Sequence, residues 1–404
     1  MTGIRNYALV TAAYWGFTLT DGALRMLVLL HFYQLGYSTI QIAFLFLLYE
    51  FFGIITNLIG GWIGSHFGLK VTLFAGLTLQ VIALSALGFL DPGWSVLFSI
   101  CYVMGLQALS GIAKDLTKMS SKSAIKVLVP DDTESTLFKW VALLTGSKNA
   151  LKGVGFFLGG LLLSTVGFRY ALWLMAGGLT LILLATILTL PEHIGLAKQK
   201  TKFTAILSKS RNINLLSAAR LFLFGSRDIW FVVGLPVFLS SSLNWSETQI
   251  GSFLALWVIG YGGVQAFAPQ LLKIFSKGAT PRGGTASTGT FTLAFLTMLI
   301  AIGLTFDYSP WITVVGGLIL FGIIFAINSS VHSYLILAYT ETDQAALNVG
   351  FYYMANASGR LTGTLLSGIV FQFAGLIGCL WVSAGFVMIA GCISLFLPRK
   401  MKDS

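Results

Sequence analysis

A chain of 404 residues that is 56% hydrophobic and only 10% charged, with a mean hydropathy of +0.85, is not built for water. A soluble chain carries roughly 25% charged residues. The formal net charge of +11 is scattered over short, separate segments, which argues against a nucleic-acid partner.

Charge-free runs at 71–90, 92–113, 170–191, 248–272, 283–306, 308–340 and 361–398 are of spanning length, because a helix needs about 20 apolar residues to cross a ~30 Å hydrocarbon core. The longest must fold back as two helices. Turn signals predict spans near 8–33, 38–60, 71–90, 94–114, 136–162, 168–190, 213–240, 247–272, 285–306, 310–338, 346–373 and 376–397. The expected fold is an all-α membrane protein of twelve transmembrane helices. The N-terminus shows no short apolar segment ending in a small-residue cleavage site, so the first span is expected to be retained. Glycine, at 45 residues against 8 prolines, suits close helix packing in lipid. Cys101, Cys379 and Cys392 form no CxxC, and no histidine lies at metal-ligand spacing to another, so no metal or other cofactor is expected.

Alternate connections collect Lys70, then Lys118, Lys122 and Lys126, then Lys198, Lys200, Lys202, Lys209 and Arg211, then Lys273, Lys277 and Arg282, and finally Arg399, Lys400 and Lys402. The opposite connections hold Asp91, Glu247 and Asp307, with Arg169 as their lone base. The positive-inside rule then places both termini in the cytoplasm, for a multi-pass protein of the cell (inner) membrane.

The chain also repeats itself. Residues 37–42 (YSTIQI) open the second span and residues 245–250 (WSETQI) the eighth, an offset of 208. The same offset brings Lys152 onto Arg360, Gly155 onto Gly363, Gly160 onto Gly368 and Gly167 onto Gly375. Two six-helix pseudo-repeat halves, 1–190 and 213–404, joined by a cytoplasmic linker at 191–212, are expected to enclose a basic pathway.

An isolated charge at a helix centre costs roughly 2.5–3.5 kcal/mol, so each charge within a span is a candidate functional residue. Asp21, Arg25, Glu50, Lys114, Asp115, Lys148, Lys152, Arg220, Arg227, Asp228 and Arg360 make seven bases against four acids. Pairing alone leaves positive charge over, which an anionic ligand would neutralise, Arg by a bidentate fork and Lys as a point charge. Lys148 and Lys152 share a helical stripe with Gly155 and Gly159; the alternative to cargo contact is snorkelling or structural pairing with Asp21, Glu50 or Asp228. Asp21 and Arg25, four apart, are spaced to neutralise each other. Arg227 and Asp228 point about 100° apart on a helix and are expected to serve different partners. Lys114 is expected at an inner vestibule, with Lys118, Lys122 and Lys126 as a solvated or headgroup-facing stripe. Gln107, Asn149, Tyr352, Tyr353 and Asn356 offer polar contacts to cargo or between helices. Asp21, Glu50, Asp115 and Asp228 are candidates for proton coupling or charge pairing.

Residues 61–70 (GWIGSHFGLK) carry Gly61, Gly68 and Lys70 of the loop signature of the major facilitator superfamily, which the two-half plan also resembles; Ser65 stands where that family has an aspartate. Residues 155–160 (GFFLGG) are similar to the fifth-helix signature associated with antiporters, with Phe156 in the proline position. The strings at 14–25 (YWGFTLTDGALR), 108–115 (ALSGIAKD) and 145–155 (TGSKNALKGVG) look like the ArsJ family of organoarsenical efflux permeases. That resemblance implies secondary active efflux of 1-arseno-3-phosphoglycerate, arsenate resistance, a functional link to glyceraldehyde-3-phosphate dehydrogenase and a monomer in the bilayer. The other transport readings are an exporter or exchanger of another organic phosphate-like anion or drug, and an arsenite exporter, which three dispersed cysteines do not favour. No Gly-x-Ser-x-Gly, His-Glu-x-x-His or phosphate-loop motif marks an enzyme, and a linker of about 20 residues is too short for a signalling domain.

Overall fold

The computed structural model describes residues 2–128, 134–190, 210–275, 281–306, 308–339 and 345–398. Its helices are α1 (Thr2–Gln34), α2 (Thr39–Leu45), α3 (Leu47–Leu87), α4 (Val96–Leu128), α5 (Glu134–Thr189), α6 (Arg211–Phe231), α7 (Gly234–Ser241), α8 (Glu247–Phe275), α9 (Gly283–Thr305), α10 (Gly317–Ala338), entered through a π turn at Ile312–Gly316, and α11 (Ala345–Ser394). Among the described residues there is no strand, as expected where every backbone polar group must be satisfied without water. Among the described residues nine stretches are long and apolar enough to cross a membrane. Two of these, Ser147–Thr189 and Gly350–Ser394, run to 43 and 45 residues, about twice what one crossing needs. The hydroxyl groups and the Asp21 and Arg25 charges of α1 keep it out of the nine. The basic residues of the linker and tail, Lys198, Lys200, Lys202, Lys209, Arg399, Lys400 and Lys402, lie outside the described residues, as do the side chains of Lys122, Lys126, Lys273 and Lys277.

Cα packing divides the chain into two compact units. The first comprises Met1–Gly36, Phe44–Thr204 and Ser246–Ile259, the second Tyr37–Ala43, Ala205–Trp245 and Gly260–Ser404. In the first unit α1 packs on α5 and α3 on α4; in the second, α6 and α9 pack on α11. Close approach decides both cores. A methyl group on Gly155 would lie 2.5 Å from the Leu19 carbonyl oxygen and 3.0 Å from Gly22 Cα, and one on Gly363 would lie 2.6 Å from the Gly225 carbonyl and 3.2 Å from its Cα.

The 208-residue offset extends to backbone geometry. Long helices α5 and α11 each break at a single glycine, Gly167 (φ 76°, ψ 174°) and Gly375 (φ 60°, ψ −161°), which the repeat superposes. Both lie in a region open essentially to glycine alone. The paired helix starts carry the same reciprocal cap. Ser38 N donates to Gln41 Oε1 at 2.8 Å and Gln41 N to Ser38 Oγ at 3.3 Å, while Ser246 N donates to Gln249 Oε1 at 2.8 Å and Gln249 N to Ser246 Oγ at 3.3 Å. Gly160 approaches the Glu247 carbonyl, and its mate Gly368 approaches the carbonyl of Thr39, the mate of Glu247.

One expected boundary is corrected, and two expected spans, present as the candidate crossings Thr39–Ile59 and Arg211–Ser241, carry a helix break inside them. The loop expected at 61–70 is helical: α3 runs through it, and no proline removes an amide donor there. The span expected at 38–60 is interrupted at Phe46, between α2 and α3. The span expected at 213–240 breaks between α6 and α7, where Pro236 cannot donate to the Val232 carbonyl and its ring clashes there. The buried Val233 and Gly234 amides both donate to Ser367 Oγ at 3.1 Å.

Gly167→Ala and Gly375→Ala should each destabilise the purified protein by roughly 1–3 kcal/mol, read as a lower melting temperature in detergent. Gly177→Ala, a helical site with nothing within 4 Å, should hold or raise it. Indistinguishable melting of the three variants would contradict the strained-glycine assignment.

Candidate functional site

In the first unit the charges gather where α1, α3 and α4 meet. Arg25 Nη2 donates to Glu50 Oε1 at 2.7 Å, with the Glu50 side chain fully buried. Removing two ions from water costs several kcal/mol each, which their mutual attraction must offset. The expected neutralisation of Asp21 by Arg25 is therefore corrected. Asp21 instead accepts a 2.6 Å bond from Tyr49 Oη, while the Tyr49 ring stands 5.4 Å from Arg25 Cζ, so the phenol takes the carboxylate that spacing alone offered to the guanidinium. Lys114 Nζ sits 4.0 Å from the centroid of the same ring, a cation–π contact.

Asp115 is saturated with donors. Its Oδ2 accepts from Thr56 Oγ1 at 2.9 Å and Asn57 Nδ2 at 3.3 Å, and its Oδ1 pairs with Lys118. Lys118 Nζ also donates to Asn57 Oδ1 at 2.5 Å. Lys118 is thus a half-buried ion-pair member and not part of a solvated stripe, because a carboxylate one turn away lies on the buried side of α4. Gly53 lies beside this arrangement, where a methyl would sit in ordinary contact 3.4 Å from Asp115 Oδ2 and 3.5 Å from Lys114 Nζ. On α5, Lys148, Asn149 and Lys152 are half-buried, and Lys152 Nζ lies 5.6 Å from the Phe156 ring.

The second unit holds a different cluster, built from α6, α8, α10 and α11. Arg220 is 4% exposed. Its Nε donates to Asn356 Oδ1 at 3.0 Å and its Nη1 to the carbonyl and hydroxyl of Ser329, both at 3.1 Å. Ser329 Oγ is met in turn by Gln265 Nε2 at 3.2 Å and Tyr261 Oη at 3.4 Å. Every one of these partners is neutral, and among the described residues no carboxylate pairs with Arg220. Its Cζ lies 3.8 Å from the Phe224 centroid and 5.0 Å from that of Tyr352. Tyr353, half-buried, packs edge-on against Tyr352 at 5.6 Å.

Two turns along α6, Asp228 accepts two bonds from its neighbour Arg227, from Nε at 2.7 Å and Nη2 at 2.5 Å, and one from Arg360 Nε at 3.3 Å. This corrects the expectation that Arg227 and Asp228 serve different partners. A 100° offset separates Cβ directions, but the arginine stem is long enough to swing its fork back onto the next carboxylate. Arg227 Cζ lies 5.1 Å from the Phe224 ring that also faces Arg220, so the two guanidinium carbons are no more than about 9 Å apart. Two guanidinium groups thus share Asp228 beside the unpaired Arg220, with Arg227 and Arg360 side chains 17% and 15% exposed.

Sequence reading missed Tyr49, Thr56, Asn57, Ser329, Gln265 and Tyr261. A signal existed for three of them: Tyr49, Gly53, Thr56 and Asn57 recur at i, i+4, i+7 and i+8 on one face of α3, and Gln107, Gly111, Lys114 and Lys118 at i, i+4, i+7 and i+11 on α4.

Fold and charges together define a multi-pass α-helical membrane protein with ionised side chains at bilayer depth. The Major Facilitator Superfamily model matches residues 9–295, and the chain belongs to that superfamily of transporters. No curated protein sequence matches it. Solved structures match in fold over nearly the whole chain. A structure from a study of substrate recognition in proton-dependent oligopeptide transporters has a TM-score of 0.71 at 14% identity, covering 97% of this chain and 98% of its own. A D-xylose–proton symporter has 0.70 at 15%, covering 100% and 99%. The nucleoside transporter NupG has 0.73 at 16%, covering 96% and 98%. At these identities the likeness shows the fold alone.

Glu50→Gln leaves Arg25 uncompensated and should cost about 3–5 kcal/mol, whereas Glu50→Gln with Arg25→Gln should recover part of the loss. Thermal unfolding in detergent measures both; a single variant as stable as the parent would contradict the pairing.

Proposed function

We propose that this transporter carries a small, multiply charged organic anion out of the cytoplasm by alternating access, as a secondary active exporter of the cell (inner) membrane, with twelve crossings in two halves and both termini inside. The observation that carries the reading is Arg220: a buried guanidinium whose partners among the described residues are all neutral, beside two more that share Asp228. Its Nε and Nη1 are committed, and among the described residues its Nη2 donates to none. An oxyanion meeting Nη2 would neutralise the site, and Arg presents the geometry that phosphate, arsenate and carboxylate oxygens match. Lys114, Lys148, Lys152 and Asn149 in the first unit, and Arg227, Arg360, Tyr353 and Asn356 in the second, are the further contacts assigned to such a cargo. The particular cargo we propose is 1-arseno-3-phosphoglycerate, on the strength of the strings at 14–25, 108–115 and 145–155, which include Asp21, Arg25, Lys114, Asp115, Lys148 and Lys152. It carries a phosphate and an arsenate, the arsenate bonded to the carboxyl carbon, enough negative charge for several of these bases. Export would then protect a cell that makes the ester when glyceraldehyde-3-phosphate dehydrogenase takes arsenate for phosphate. A cell negative inside assists outward movement of negative charge.

Everted vesicles given glyceraldehyde 3-phosphate, NAD, arsenate and the dehydrogenase together should accumulate arsenic, and omission of any component should abolish uptake. Arg220→Gln, Lys152→Gln and Arg360→Gln should each lower uptake roughly 10- to 100-fold, the worth of a charged hydrogen bond, with normal amounts of protein in the membrane. Lys200→Gln should transport normally. Uptake of arsenate alone, or full activity in Arg220→Gln, would reverse the proposal.

A further inference from the structure

Two side chains near Arg220 have polar atoms with nothing to bind. The His332 imidazole on α10 is fully buried, and among the described residues neither of its ring nitrogens has a hydrogen-bond partner. Ser217 on α6 is 1% exposed, and its hydroxyl is likewise without one. A buried donor or acceptor left unmade costs about 1–3 kcal/mol, and native interiors pair the large majority of such groups. Three orphan atoms on two neighbouring helices therefore call for a partner that the described residues do not supply.

Helix geometry fixes where that partner would sit. His332 is one turn beyond Ser329, whose hydroxyl and carbonyl both hold Arg220. Ser217 is one turn before Arg220 itself, and residues three apart on a helix share a face. The Arg220 charge acts directly on the His332 ring. The orphan atoms therefore flank the guanidinium whose Nη2 we assign to the anion. Their chemistry differs from its own: a neutral imidazole offers one donor and one acceptor, a serine hydroxyl offers both, and so does an alcohol. Neither side chain brings a fixed charge for a second oxyanion.

We infer that His332 and Ser217 form a neutral subsite beside Arg220 that binds a hydroxyl group of the cargo, so that this unit selects an anion carrying an alcohol next to its charged group. The inference rests on the anion reading of Arg220. It makes His332 a specificity-determining residue, not a further charge: the guanidinium sets that the cargo is anionic, and the imidazole and serine set that it is hydroxylated.

Calorimetric titration of the full chain in lipid nanodiscs tests it with 3-phosphoglycerate, its analogue lacking the 2-hydroxyl (3-phosphonooxypropanoate) and inorganic phosphate. The parent protein should bind 3-phosphoglycerate roughly tenfold tighter than the deoxy analogue, the worth of one well-made hydrogen bond to a buried group. His332→Phe should bring the two affinities together by weakening 3-phosphoglycerate alone, and His332→Gln, which keeps a donor and an acceptor, should retain most of the difference. Where His332→Phe does not fold, Ser217→Ala should still narrow the gap. Equal affinity of the parent for the two compounds, the result expected if water fills the subsite, overturns the inference, as does full discrimination by His332→Phe. If the parent binds none of the three and Arg220→Gln makes no difference, the anion reading falls, and the subsite with it; binding of both organic anions without discrimination defeats the subsite alone.

Discussion

An ionised side chain inside a bilayer must be neutralised, and this molecule meets that requirement unevenly. Glu50 has Arg25, and Asp115 has Lys118 with two neutral donors besides. Asp228 serves both Arg227 and Arg360. Arg220 has only amide, hydroxyl and carbonyl oxygens and the faces of two rings. Dipoles and π faces soften an isolated cation in a low dielectric but leave its charge in place. Among the described residues Arg220, on α6 facing α10 and α11, is a buried cation that no carboxylate meets.

Close helix contacts hold these groups in position. Gly22 against Gly155 and Gly225 against Gly363 bring backbones near enough for α1 to meet α5 and α6 to meet α11. Those approaches set the reach of the charged stems: Lys152 is one turn before Gly155 and Arg360 one turn before Gly363, so the charge and its packing surface are specified together in each unit. Tyr49 plays the corresponding part among side chains, holding Asp21 by its hydroxyl and presenting its face to Lys114 and Arg25.

The fold class and the repeat were legible because they rest on local, additive signals. Apolar length gives spans, and the 208-residue offset, read from glycines and a six-residue cap, reappears in the backbone angles of Gly167 and Gly375 and in the matching Ser38 and Ser246 boxes. Helix continuity was less legible. Gly61 to Lys70 reads as a loop by composition yet stays helical, whereas Pro236 breaks a run that hydropathy joins.

Candidate charges were legible one at a time, because each costs energy in lipid, but their pairing was not. Sequence spacing offered Asp21 to Arg25 and withheld Asp228 from Arg227, and both inferences failed for the same reason. Long side chains choose partners by three-dimensional reach, which spacing along one helix does not encode. Neutral partners such as Asn57, Ser329 and Gln265 escaped because nothing in one sequence distinguishes a structural amide or hydroxyl from one that holds a charge. The central claim is that Arg220 is the anion-binding centre of its unit, and anomalous diffraction at the arsenic edge from crystals grown with arsenate tests it most directly. An arsenic peak within bonding distance of Arg220 Nη2 is the predicted result; arsenic bound only elsewhere, with Arg220 unoccupied at saturating arsenate, would contradict it.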